Sequence, residues 1–519
     1  MELITQQIHT NDMGRPLTDQ FYIDDDINVP DAKDDIGEII MGKGAVHIEE
    51  IRRMETYIRV SGRLSYAVLY MTDSGDPHLA SLEGQCPFEE MVYVEGKEEV
   101  QYTLRDSRVD CMVSLIHSRK ISLKAMVELE IGSECMLDTA LPLDVEEGVS
   151  LYKRMEERQV LKLYTSKKDT YRIKEEIVLP GTKENIGNIL WTDIENRKMD
   201  TKLGEDELNL SGEVMVFCLY ESPEGKTDWL EQTFLYNGRI ECSGVDENMF
   251  HRVYGSLEDV NLDVKMDEDG EMRSLGVEGT MELHIAVYEE ENVKMLTDAY
   301  SIEKDCHIER KSGICEELLI QNHSKCKLSE KLSLPELRED ILQICCNSGN
   351  LQIEKQAVEE HGIRIEGILH LRFLYVKEND EMPFAVWQGM VPFSYLIECE
   401  GIQEDALFEI QHVLEQLSVS LLGSQEVEVK AVLAFHSLVK RQKEEELITK
   451  ITLEEPVIDE NAKTPGIIGY MVKGGEELWD LAKRYHTTKE RIREVNELEN
   501  DELKEGDRIL IFKENMSIL

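Results

Sequence analysis

The chain has 519 residues, 41% of them hydrophobic, enough apolar side chains for several independently packed cores. Its 57 basic and 106 acidic residues give a formal charge of −49, which argues against nucleic acid and against direct binding to an anionic membrane. The 11 cysteines form no Cys-x-x-Cys pair, the N-terminus has no basic and apolar leader, and no uncharged apolar run reaches a membrane-spanning length of about 18 residues, so a reducing, cytosolic setting is expected.

In chain order, the first strong signal is a repeat. Pro30, Ile36, Gly37, Gly62, Leu69 and Tyr70 return as Pro180, Ile186, Gly187, Gly212, Leu219 and Tyr220, and then as Pro335, Ile341, Gly367, Leu374 and Tyr375. The shift is 150 residues (30 to 180) and then 155 (180 to 335), the size of a domain and not of a solenoid turn. The expected organisation is three repeats at 1–148, 149–303 and 304–445, a linker at 446–467 and a separate domain at 468–515.

Each repeat opens on the proline and an apolar stripe. Ile36, Ile39 and Ile40 stand at i, i+3 and i+4, as do Ile186, Ile189 and Leu190, and Ile341, Ile344 and Cys345. That spacing predicts a short amphipathic helix, with a basic residue ahead of each stripe (Lys33, Lys183, Arg338) and an acid after it (Asp34, Glu184, Glu339). A strand follows: Leu64, Tyr66, Val68 and Tyr70 alternate, as do Val214, Val216, Cys218 and Tyr220, and Leu369, Leu371, Phe373 and Tyr375. The glycine before each strand (Gly62, Gly212, Gly367) predicts a bend or bulge at its start, and TDSGDP and ESPEGK after the first two predict hairpins. A later strand also recurs, as Ile121–Leu129, Leu275–Leu283 and Val427–Phe435. The fold class expected is mainly β: three repeated, β-rich, sandwich-like domains, each with a short helix, and a small C-terminal βααβ domain.

Signatures of chemistry are sparse. No Gly-rich loop with a following Lys-Ser/Thr is present to cradle phosphate, and no nucleophile motif stands out among the 13 histidines. The segment from Lys265 has calcium-loop flavour but the wrong first and twelfth residues, and reads as an Asp269-Gly270 turn between strands. Cys306, His307, Cys315, His323 and Cys326 lie close in sequence without zinc-site spacing. No catalytic residue, metal ligand or cofactor is expected, and an enzyme is not.

The last part differs. Leu478, Leu481, Ala482 and Tyr485 mark one helical face, Thr487 with Glu490 has capping-box form ahead of a second helix with Ile492 and Val495, and Gly506-Asp507 turns into the strand 508–512. Tyr470, Val472, Gly475, Leu478, Trp479, Leu481, Ala482, Tyr485, Asn496, Gly506 and Ile509 hold the places of the LysM pattern, and this stretch resembles a LysM domain. Most LysM domains bind N-acetylglucosamine polymers. Here Glu476-Glu477 stands where the family has Asp-Thr and Asn496-Glu497 where Asn-Pro is frequent, which favours a protein over a glycan as ligand. The candidate partner-binding groove residues are Glu477, Trp479, Asp480 and Asn496. Trp479 is either an exposed interface residue or a packing one.

The repeats, through Ile27, Val29, Pro30, Lys33, Ile36, Ile39 and then Ser61, Gly62, Leu69 and Tyr70, resemble the SPOCS domain of spore coat-associated proteins. Three SPOCS-like repeats before one LysM domain are similar to the clostridial coat morphogenetic proteins. The resemblance implies a non-enzymatic adaptor in the mother-cell cytoplasm, at the forespore surface and in the spore coat. Its LysM domain would bind the basement-layer coat ATPase, stage IV sporulation protein A, and other coat proteins would be further partners. A peptidoglycan-binding protein of cortex or wall is the alternative reading.

Overall fold

The computed structural model describes the whole chain except residues 1, 15, 95–99, 147–150, 336–340, 379–382, 424, 456–465 and 513–519. The first repeat contains β1 (Leu3–Met13), β2 (Leu17–Asn28), β3 (Ile36–Arg53), β4 (Tyr57–Thr72), β5 (Leu79–Tyr93), β6 (Gln101–His117) and β7 (Lys120–Val145). β3, β4 and β5 form one antiparallel sheet, and β2 and β6 flank the first half of β7 in another. The period-two faces meet between them: Leu64 and Val68 of β4 pack with Ile121, Leu123 and Ala125 of β7. The sandwich and its two most regular strands are as the alternation predicts.

The second repeat uses β8 (Tyr152–Val178), β9 (Asn188–Gly204), β10 (Glu207–Glu221), β11 (Thr227–Glu241), β12 (Phe250–Met266) and β13 (Met272–Tyr300). The third uses β14 (Asp305–Ser333), β15 (Ile341–Glu359), β16 (Gly362–Lys377), β17 (Phe384–Glu398), β18 (Leu407–Gly423) and β19 (Glu426–Glu454). Each repeats the two-sheet plan, with β9–β10–β11 and β15–β16–β17 as the first sheet.

The short helix expected at the start of each repeat is absent from the described residues. Pro30 and Pro180 instead open tight turns, closed by Lys33 N–H to Pro30 O and Lys183 N–H to Pro180 O at 2.9 Å, and a strand follows. The helical spacing has a different cause. β3 carries bulges at Ile36/Glu38 and Ile39/Met41, and β15 at Ile341/Gln343 and Ile344/Cys346. Each bulge adds a residue to a period-two strand, so inward side chains fall three apart. Arg338 and Glu339 lie outside the described residues.

The glycines also differ from expectation. Gly62, Gly212 and Gly367 lie inside β4, β10 and β16, each beside a bulge in or against the neighbouring strand. A Cβ there would overlap the carbonyl oxygen of His47, Lys198 or Gln352. The recurrent tyrosines tie this sheet to the opening turn: the Tyr70 hydroxyl donates to Asp34 O at 3.3 Å and that of Tyr220 to Glu184 O at 3.2 Å. Arg119 and Arg273 bind the same turns, donating to Pro30 O and Pro180 O, each at 2.8 Å.

The first and last strands of each repeat run on past the sandwich as a two-stranded arm. β1 pairs the second half of β7, the first half of β8 pairs the end of β13, and the first half of β14 pairs the end of β19. The three arms share one core, in which Ile8 and Leu141, Val160 and Val293, and Cys315 and Leu447 come together. At the opposite end the outer faces of the first sheets converge, with Leu69, Trp191, Phe217, Cys346 and Leu374 in one cluster. The repeats are thus not beads on a string but three lobes joined at two places. The expected linker 446–467 is correspondingly shorter: β19 continues to Glu454, burying Leu447, Ile448 and Ile451 in the stem of arms.

Candidate functional site

The C-terminal module is built from β20 (Ile467–Met471), α1 (Leu478–Arg484), α2 (Lys489–Asn496) and β21 (Arg508–Phe512), with β20 and β21 antiparallel. Leu478, Leu481, Ala482, Ile492, Ile509 and Ile511 make its core. Thr488 caps α2, its hydroxyl accepting from Arg491 N–H at 3.0 Å, one residue after the position that the spacing suggests. Thr487 is fully buried. Glu497 ends the helix in the left-handed region at φ 53°.

The glycine-led turn is closed by its own acid. Glu476 accepts from Lys473 N–H at 3.0 Å, from the Tyr470 hydroxyl at 2.8 Å and from Arg484 at 2.9 Å. The backbone N–H of Lys473, then Arg484 and Tyr470, hold its carboxyl down at about 2.

The four candidate residues separate into different roles. Trp479 is buried (7% exposed), and its partner is within the chain: the indole N–H donates to Asp298 Oδ2 at 2.8 Å and the ring meets Tyr300 edge-on at 4.9 Å. Glu477 pairs with Arg154 at 2.9 Å. Asp480 accepts from the Glu477 N–H across the start of α1 at 3.4 Å. Asn496 is internal to the module, its amide donating to Leu510 O and its carbonyl accepting from Leu510 N–H, each at 2.7 Å.

Trp479 and Glu477 therefore belong to a dock on the arm of the second repeat. Lys483 also reaches Asp298, at 2.6 Å, and the Tyr300 hydroxyl donates to Thr487 O at 2.9 Å. Burial pushes the Asp298 carboxyl up, but Lys483 and the Trp479 indole outweigh it and the net shift is downward. Tyr300 and Ile302 are continuous with the module's core, and Tyr152 stacks on Tyr300 at 5.1 Å. Nothing in sequence spacing links 298 to 479. The available hint was a doublet of tyrosines, Tyr152 and Tyr300, with no counterpart in the other repeats.

A second polar locus lies where arms meet lobes. Glu134, Tyr288 and Lys440 occupy equivalent places, each paired with the first residue of the preceding strand: Gln101, Phe250 and Leu407. Lys440, 4% exposed, binds Glu316, 1% exposed, at 2.8 Å and Asn11 O at 2.8 Å. Arg252 bridges Glu134, at 3.0 Å, to Glu409. Above this neck a chamber of about 2240 Å³ extends between the lobes, from Glu409 and Lys440 to Glu195 and Arg197. Burial pushes the Glu195 carboxyl up to about 7, against the pull of Arg197.

Burial pushes Cys218 and Cys345 up to about 12 and Cys111 and Cys315 up to about 11. Cys306, His307, Cys315, His323 and Cys326 are strung along β14, and no group of three or more metal-binding side chains comes together among the described residues. The Asp269-Gly270 segment is the expected turn, between β12 and β13. No helix among the described residues is long and apolar enough to cross a membrane.

Comparison with known families matches the SipL, SPOCS domain three times, at residues 35–118, 185–265 and 340–422, and the LysM domain at 470–512. Neither is an enzyme family. No curated protein and no solved structure matches the chain.

Proposed function

From a chain that carries three SPOCS domains and a C-terminal LysM domain, we propose a non-enzymatic adaptor of spore coat morphogenesis. It works in the mother-cell cytoplasm at the forespore surface, where its LysM domain binds the coat ATPase, stage IV sporulation protein A. The observation that supports this most is the mounting of the LysM domain: one small module is fixed through Trp479–Asp298 and Tyr300–Thr487 onto a stem made by all three repeats. Such a body holds a binding module at a fixed distance and orientation, which suits a scaffold. The Glu476 turn, closed by Arg484 and Tyr470, has its polar groups engaged internally and offers little to a sugar.

The test uses the full chain. Immobilised chain should retain purified coat ATPase and leave purified peptidoglycan in suspension. Sedimentation with peptidoglycan and no retention of the ATPase would establish the glycan-binding alternative instead.

A further inference from the structure

The dock covers one side of the LysM domain and leaves a strand edge on another. In the β20–β21 ribbon, Ile468 and Tyr470 face the helices, and Ile467, Gly469 and Met471 face away. Opposite them stand Phe512, Leu510 and Arg508. The outward face is apolar: Ile467 is 55% exposed, Met471 56% and Leu510 47%.

The two edges of the ribbon are not alike. Leu510 turns both its N–H and its C=O to the Asn496 side chain, which plugs the β21 edge. Its cross-strand partner is Gly469, so 469/510 is a non-hydrogen-bonded pair and Gly469 directs its own N–H and C=O out of the other edge. By the two-residue period, Ile467 and Met471 do the same. Among the described residues β20 pairs only with β21. Gly469 adds a second observation: a Cβ built there meets nothing within 4 Å, and its φ is not positive, so neither crowding nor backbone conformation demands glycine. An interior strand glycine without such a need suits close approach by another backbone.

The geometry points to β20 as an acceptor for an extended polypeptide strand of the partner protein, pairing with the outward groups of Ile467, Gly469 and Met471. Apolar residues at alternate positions of that strand lie beside Ile467 and Met471 on the outward face, and the one opposite Gly469 reaches across the notch that the missing side chain leaves, towards Leu510. The occupant is a protein segment because the free groups are a ladder of backbone donors and acceptors, which a strand satisfies and a pyranose ring does not. This rests on the protein-binding reading of the LysM domain given above.

The experiment uses the full chain and the purified coat ATPase. Gly469→Pro deletes one outward N–H without touching a β20–β21 hydrogen bond, a substitution an edge strand tolerates. Binding should weaken about tenfold or more, and in the wild-type complex the amides of Gly469 and Met471 should exchange hydrogen about tenfold more slowly than in the free chain. If Gly469→Pro lowers the melting of the LysM domain, Met471→Lys, at an exposed side chain, takes its place with the same expected loss. Wild-type affinity in the variants, with no added protection at 469 and 471, overturns the edge while leaving the adaptor reading intact. Absence of wild-type binding removes the adaptor reading and the inference with it. Dimerisation of the chain alone, abolished by Gly469→Pro, makes the occupant a second copy and also overturns the proposal.

Discussion

The indole N–H of Trp479 meets the carboxylate of Asp298 at 2.8 Å across 181 residues of chain, and this contact fixes the LysM domain to the second repeat. Asp298→Ala leaves the indole N–H and Lys483 without their acceptor, a loss of about 1–3 kcal/mol for a buried donor. Faster hydrogen exchange across α1, with no change in the sandwich strands, is the expected signature. Trp479→Phe, which keeps the ring against Tyr300, should lose less than Trp479→Ala; equal losses would mean the Tyr300 contact contributes nothing.

The Lys440–Glu316 pair is almost wholly buried, so breaking it from one side is costly. Lys440→Met strands the Glu316 carboxylate and should destabilise the chain by about 3–5 kcal/mol, whereas Lys440→Met with Glu316→Leu should recover most of that. Urea unfolding of the two variants and the parent decides the matter. Additive losses in the double variant would contradict the pairing.

Acid should loosen the contact between the second and third repeats before it unfolds the lobes. Burial pushes His251 and His436 down to about 4, and His436 stacks on His323 at 4.1 Å. A histidine held neutral in the folded state takes a proton more readily when unfolded, so stability is complete above pH ~6.5 and falls as the pH drops towards 4. Each shift corresponds to about 3 kcal/mol, less than additive because the rings influence one another. The urea midpoint should drop between pH 7.5 and pH 5, and His251→Gln should flatten that dependence.

The recurrent glycines give a comparison within one chain. Gly62→Ala and Gly212→Ala place a methyl group against the carbonyls of His47 and Lys198 and should cost about 1–3 kcal/mol each. Gly181→Ala, where an added Cβ meets nothing within 4 Å, should be nearly neutral. Thermal midpoints of the three variants check the contrast.

What could be read from the chain was local and periodic. Alternation at Leu64–Tyr70 and Ile121–Leu129 reports a buried face directly, and the LysM helices show through Leu478, Leu481 and Ile492. The opening stripe misled because a bulged strand and a helix both place Ile36 and Ile39 on one side. The dock was illegible for another reason. Asp298, Tyr300 and Arg154 are ordinary strand residues until the arms bring them to the LysM domain, and no local pattern encodes a contact set by the paths of two distant strands. Asn496 fits its family place in sequence, and its amide hydrogen-bonds the β21 backbone at Leu510, a pairing that no spacing announces.

The neck gives the order of the repeats a meaning. In an assembly of three identical chains one position would carry the same charge three times; here the equivalent places hold an acid, a phenol and an ammonium group, Glu134, Tyr288 and Lys440, each served by a different neighbour. Joining the lobes in a single polypeptide lets each evolve its own half of a complementary contact. The lobes are therefore not interchangeable: exchanging the first and third would bring Lys440 to the place beside Arg252, setting two cations against one another where Glu134 now stands, while Glu316 would travel with Lys440. The order of the repeats thus matters at one charged contact, the meeting of Arg252 with Glu134.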